Sequence, residues 1–194
     1  NIFDQVLYVP AVTDIKLKYG TGVICSSDGL ELHAEISGTP TLDRSNKIQV
    51  SPAFTAPNDI NFETGHIDYD GEIVIKGTLK AGFKAIGHGI RVGTVDGGEI
   101  RASEDITILN GIIGGTAYAR GNVSIKFVQN STIYCLGNLT VDKEIIDSRI
   151  VTSGAVIIKN GEIISSDITC NKGLFAQHLG TEKSVPNTVT FGVD

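Results

Sequence analysis

Pairs of aliphatic residues flanking a single intervening residue recur along the chain at Ile73/Ile75, Ile90/Val92, Ile106/Ile108, Val123/Ile125, Leu139/Val141, Val156/Ile158 and, in degraded form, Leu174/Ala176. Successive first members are separated by intervals of 17, 16, 17, 16, 17 and 18 in the numbering. A spacing of two is strand periodicity, in which alternate side chains turn inward while the Lys, Thr, Asp or Ser between them turns to water. It excludes helices. Each unit carries a second apolar anchor, at Leu79, Val95, Ile112, Val128, Ile145 and Ile163, and a third element at Phe83/Ala85, Ile100/Ala102, Ala117/Ala119, Ile133/Cys135, Ile150/Thr152 and Ile168/Cys170. The step from second anchor to third element is the same, five positions, in every unit but the first. Three short sides per unit predict a triangular coil.

A coil this short cannot bury its own inner face, but stacking it on a similar coil pairs every strand with the one above and continues the core along the axis. The pattern therefore predicts an all-β parallel β-helix of about seven coils over residues 65–176. At roughly 4.8 Å per strand spacing, its height is on the order of 30 Å. Equivalent positions stack into columns. One runs through Ile73, Ile90, Ile106, Val123, Leu139, Val156 and Leu174; another through Ala85, Ala102, Ala119, Cys135, Thr152 and Cys170. Gly98, Gly115, Ser131, Ser148 and Ser166 mark a corner that tolerates no bulk, and Asp105, Asn122 and Asn138 align as a candidate side-chain ladder. Turn formers, among them Asn110-Gly111, Asn160-Gly161, Gly121-Asn122 and Gly137-Asn138, fall between sides.

Residues 1–64 lack the repeat. Strand-like runs at Val6–Val9, Gly29–Ile36 and Lys47–Val50, interrupted by Gly38-Thr39-Pro40, Pro52 and Pro57, predict a small β-rich module. Residues 177–194 read as an irregular stretch, Gln177–Asn187, followed by one alternating strand at Thr188–Val193. An open β-helix end exposes unpaired edge groups, so both flanks are assigned as caps.

Composition sharpens this picture. The chain is 41% hydrophobic and 6% aromatic, so the core is built from Ile, Val and Leu. A net charge of −6 without any basic block leaves nucleic acid out of the expected partners. No apolar run approaches the length of about 18 residues that a membrane helix needs. No signal or lipidation motif is present either, so no membrane span is expected. The 194 residues contain no Met, position 1 included, which suggests a trimmed piece of a longer chain. Cys25, Cys135 and Cys170 are odd in number and form no Cys-x-x-Cys pair, which points to a reducing compartment. All three are expected to act as small buried hydrophobes. Cys135 and Cys170 fall two coils apart, roughly 9–10 Å, too far for a disulfide.

The segments Gly65-His-Ile-Asp-Tyr-Asp-Gly71-Glu-Ile-Val-Ile-Lys-Gly77, Gly87-His-Gly-Ile-Arg-Val-Gly93 and Asn110-Gly-Ile-Ile-Gly-Gly115, with the closing Leu179-Gly180 and Thr188-Val-Thr-Phe-Gly192, resemble the flagellar assembly protein A family in their order along the chain. The likeness spans about Gly22 to Val193. It implies a right-handed β-helix with a β-rich N-terminal part, in a bacterial cytoplasmic protein linked to flagellar assembly. It brings no catalytic residue with it.

β-helices also host enzymes, and several residues are candidates for chemistry. Left-handed hexapeptide acyltransferases keep coils of roughly 18 residues, and no hexapeptide frame is kept here. A zinc site needs converging ligands. His66 and His88 could approach one another, while His33 and His178 lie elsewhere; all four read as solvated turn residues. Asp96, Glu99, Arg101, Glu104 and Asp105 are candidates for a carbohydrate-cleaving face, but ordinary outward strand positions explain them. Asn110–Gly115 opens no helix and cannot hold a phosphate on a helix terminus. No catalytic, cofactor-binding or metal residue is assigned, and no cofactor is expected. The sequence thus reads as a non-enzymatic scaffold whose partners are proteins of the flagellar or cell-pole machinery, with self-association also open. A bactofilin-like self-assembling module is the first alternative and a carbohydrate-active enzyme the second.

Overall fold

The computed structural model describes residues 16–192, so the strand expected at Val6–Val9 lies outside the described residues. The chain forms two compact units, divided between Pro52 and Ala53. In the first, Val23–Cys25 pairs antiparallel with Leu32–Ala34, and Thr39–Leu42 pairs antiparallel with Ile48–Ser51. The second hairpin turns on Asp43, whose carboxylate accepts the N–H groups of Ser45 at 2.8 Å and Lys47 at 2.9 Å, with Asn46 at φ 59°. Thr39 and Pro40, read from sequence as strand breakers, lie within a strand. A two-stranded ladder leaves Pro40 on an edge, where its missing N–H is harmless.

The second unit is a stack of parallel coils. Its two sheets, of ten and eight strands, run in strict sequence order along the axis, and no helix is present among the described residues. The eight-stranded sheet takes one strand per coil, which makes eight coils where the repeat alone suggested seven. The additional coil comes first. Ala53–Ala56 pairs in parallel with Glu72–Lys80, so stacking begins well before Gly65. At the other end Thr188–Phe191 pairs in parallel with Asp167–Cys170 as a further rung. Within the stretch expected to be irregular, His178–Leu179 pairs with Glu162–Ile164.

Every member of the first aliphatic column is registered on its neighbour, from Ile73 on Ile90 through Ile106, Val123, Leu139 and Val156 to Leu174, with Phe54 below. Between the ends these side chains are almost wholly buried. A one-residue slip would turn each of them to water, at a cost of about 1.5–3 kcal/mol per side chain, so the register is strongly fixed. The first and second sides belong to one continuous bent strand in most coils, with a register shift at the bend. The alternation between longer and shorter repeat intervals arises there. The bend takes four steps from Ile75 to Leu79, Ile108 to Ile112 and Val141 to Ile145, but three from Val92 to Val95 and Ile125 to Val128. Asn110-Gly111 and Asn160-Gly161 sit at such bends, and a Cβ on Gly161 would collide with the Lys143 carbonyl.

The second predicted column needs one correction. Ala85 is registered on Ile100, and Gly87 on Ala102. The first repeat takes six steps from Leu79 to Ala85, one more than the others, and Phe83 lies outside the ladder against Phe62 and His66. From Ala102 upward the column is as expected, through Ala119, Cys135 and Thr152 to Cys170. Cys135 and Cys170 are free thiols buried in it; Cys25, in the first unit, is only half-buried.

Two polar ladders fasten the corners. At the corner before the third side, the Ser131 hydroxyl accepts the Gly115 N–H at 3.2 Å, Ser148 accepts from Ser131 at 3.1 Å, Ser166 accepts from Ser148 at 3.1 Å, and Asn187 Oδ1 ends the series on Ser166 at 2.8 Å. The residue before each of Gly98, Gly115, Ser131, Ser148 and Ser166 lies at positive φ: Gly97, Gly114, Asn130, Asp147 and Ser165. At the corner after the third side, Asp105 accepts the Asn122 N–H at 2.6 Å, Asn122 accepts from Asn138 at 2.9 Å, and Asn138 accepts from Ala155 at 2.9 Å. Both ladders tie a side chain of one coil to a backbone N–H of a neighbouring coil, and the serine ladder, buried at Ser131, Ser148 and Ser166, gives partners to polar groups that a packed corner would otherwise leave unpaired.

Candidate functional site

The third side carries a column of unlike residues on its outer face. Ile86, Arg101, Tyr118, Tyr134 and Val151 occupy equivalent outward positions of five consecutive strands. Because the strands are in register, their side chains stack on one another. The rings of Tyr118 and Tyr134 are parallel within 4°, with centroids 5.1 Å apart, and the Arg101 guanidinium carbon lies 4.5 Å from the Tyr118 centroid. Tyr118 is thus covered on one face by a cation and on the other by a second ring, a favourable use of the ring quadrupole.

Arg101 is held from its other side. Its Nε donates to Glu99, and Glu99 also meets Lys84 Nζ at 3.0 Å. Hydrogen bonds from Arg101 and then Lys84 keep the Glu99 carboxyl below its ordinary value, and the Glu99 hydrogen bond raises that of Arg101. One carboxylate therefore serves two cations.

A groove of about 500 Å³ runs beside this column. Its far wall is a second outward row, Ser103, Arg120, Leu136 and Ser153, each following the last residue of a third-side strand, and its N–H groups continue the parallel hydrogen bonding. Gly87, Ala102, Ala119 and Cys135 lie between the rows, and the side chains of Ala102, Ala119 and Cys135 are buried on the core side, so the floor of the trough is strand backbone. Leu136 is 62% exposed. The lining includes two arginines and no carboxylate, lysine or histidine.

Cys135 touches the groove but is not poised as a nucleophile. Burial raises its thiol above the ordinary value, against a smaller opposing effect of the Thr152 hydroxyl. The thiolate, which is the reactive form, is disfavoured.

The sequence candidates for chemistry are dispersed. His88 Nε2 meets Asp70 at 2.8 Å, whereas His66 Nδ1 accepts the Lys84 N–H at 3.2 Å, so the two are engaged separately. Among the described residues no group of three or more His, Cys, Asp or Glu could hold a metal ion. Asp96 faces Lys80 at 3.7 Å, Glu99 belongs to the Arg101 cluster, and Asp105 is the first rung of a corner ladder. Asn110–Ile113 continues a strand, without any helix to hold a phosphate. Of these residues Arg101 alone lines the groove. Tyr118, Tyr134, Arg120 and Leu136 do not stand out from sequence, although Arg101, Tyr118 and Tyr134 recur at the coil interval on the outward phase.

No helix of the described residues is long and apolar enough to cross a membrane. The family model of the Flagellar Assembly Protein A beta solenoid domain matches residues 52–194. No curated protein and no solved structure matches the chain.

Proposed function

This chain belongs to the flagellar assembly protein A family through its β-solenoid domain, and we propose that the solenoid is a non-enzymatic scaffold docking protein partners of flagellar assembly in the bacterial cytoplasm. The observation that carries this reading is the locked register of the outward columns. Each outward residue of the third side keeps its place relative to those one coil away, so a pattern several coils long is presented pre-organised. Such a surface saves a partner the ordering cost that a flexible loop would incur. Buried thiols without a disulfide suit a reducing compartment. Capture from a lysate of a flagellated bacterium with the chain as bait, followed by mass spectrometry, tests the reading. Enrichment of flagellar components over a bait of unrelated fold is the expected result. Capture of nothing above that control, or substrate turnover by the purified chain, would contradict it.

End-to-end self-assembly is a second reading, favoured by the last coil. Gly173–Phe175 and Thr188–Phe191 are the outermost strands of their sheets among the described residues, and Phe175, Leu179 and Phe191 are more than half exposed beside them. Unpaired strand edges with apolar neighbours invite pairing. Sedimentation as filaments would favour this reading, and a monomer at high concentration would sink it.

A further inference from the structure

We propose that the groove beside the Tyr118–Tyr134 stack receives an extended peptide segment of a partner protein, acidic toward one end and apolar toward the other, laid along the solenoid axis. The proposal rests on the scaffold reading and gives its docking surface a ligand class.

Charge selects the acidic part. The whole chain carries a net charge of −6, yet this groove is lined by Arg101 and Arg120 without a carboxylate. Arg101 shares Glu99 with Lys84, and Arg120 has no ion-pair partner among the described residues. Covering an unpaired guanidinium with an apolar partner would strand a charge away from water, so the occupant has to bring carboxylates to that end. A guanidinium fork meets a carboxylate through two parallel hydrogen bonds, which adds direction to the attraction.

The apolar part is set by the neighbouring coils. Beyond the arginines the walls are Tyr134, Leu136 and Val151, with Leu136 largely exposed. Ile86 and Gly87 open the groove and the arginines occupy its second and third coils, so it is positive within the first three coils and apolar in the last two. Five strands span it, about 19 Å at strand spacing, which corresponds to about six residues of extended chain at roughly 3.3 Å each. Ring-stacking ligands such as nucleobases or sugars are disfavoured, because Arg101 and Tyr134 already occupy the two faces of Tyr118.

The test uses the 194-residue chain and a fluorescein-labelled hexapeptide of two glutamates followed by leucine and phenylalanine residues, read by fluorescence anisotropy. Binding is expected, weakening as salt is raised. It should fall roughly tenfold or more in Arg120→Glu, through charge reversal, and in Leu136→Glu, through loss of the apolar wall. Both positions are exposed, so both variants should melt at the wild-type temperature. A matching peptide with lysines in place of the glutamates should bind at least tenfold more weakly than the acidic one. Absence of binding by the acidic peptide, or equal binding by wild type and both variants, would overturn the proposal. So would tighter binding of a single-stranded oligonucleotide, or self-association of the chain that Arg120→Glu abolishes. Failure here is separable from failure of the scaffold reading. If wild type and Arg120→Glu capture the same flagellar proteins from lysate, the groove assignment falls and the scaffold stands; if neither captures any, the scaffold falls.

Discussion

Replacing Ser148 with alanine tests whether the buried serine ladder holds the coils together. The Ser148 hydroxyl accepts the Ser131 N–H at 3.1 Å and donates to the Ile146 carbonyl at 2.6 Å, in a corner where Ser148 is 5% exposed. Alanine removes both bonds at almost constant volume, but the consequences differ. The Ile146 carbonyl keeps the Asn130 N–H at 3.0 Å, whereas the Ser131 N–H loses the hydroxyl that accepts it. The cost is that of one orphaned buried donor, about 1–3 kcal/mol. For a chain of this length each kcal/mol moves the midpoint by about 2–4 °C, so the melting temperature should drop by about 2–12 °C. Ser124→Ala, at an exposed outward position of the strand Val123–Gln129, is the matched control and should stay within about 0.5 kcal/mol. Thermal unfolding gives the magnitude, and amide hydrogen exchange gives the location, since protection of the Ser131 N–H should fall before that of its neighbours. Equal effects of the two substitutions, with Ser131 protection unchanged, would refute the ladder as a stabilising device.

Gly114→Ala should cost about 1–2 kcal/mol in chemical unfolding, because Gly114 lies at φ 63° while the space around its Cβ position is empty, so backbone conformation alone opposes the change; a neutral result would mean that the corner relaxes. The Glu99 carboxyl is lowered in the folded chain by Arg101 and then Lys84, so its contribution is present above the ordinary glutamate range and is lost as pH falls through the lowered value. An NMR titration should place the Glu99 midpoint below the ordinary glutamate value, moving back toward it in Arg101→Leu; an ordinary midpoint in the native chain would contradict the cluster.

The inward half of the solenoid is legible in the sequence because an inward position is buried by the coils above and below as well as by its own. From Ile73 to Leu174 that double constraint admits almost nothing but aliphatic residues, and the periodicity survives changes in bend length. The first coil is hidden because Phe54 and Ala56 form a short pair between Pro52 and Pro57, which read as breakers. The phase at Ala85 is lost for a different reason: Phe83, Ala85 and Gly87 offer two strand frames, and a single extra residue decides between them. Ser131, Ser148 and Ser166 are recognisable as small, but smallness does not distinguish a steric limit from a hydroxyl that accepts a backbone N–H. The groove is the least legible feature. Outward positions are free to vary in composition, so Tyr118, Tyr134, Arg120 and Leu136 gain meaning only when the register sets them side by side.

That register can be measured directly by engineered disulfides. Ser124 and Thr140 are opposed on adjacent coils, and Thr107 lies on the far side of Ser124. Strand spacing of about 4.8 Å falls within the Cα separation that a disulfide accepts, while two spacings, about 10 Å, do not. In a background with the native cysteines replaced by serine or alanine, Ser124→Cys with Thr140→Cys should oxidise to an intramolecular disulfide identified by peptide mass spectrometry. Thr107→Cys with Thr140→Cys should remain reduced. Bridging of the second pair but not the first would contradict the in-register stack of coils.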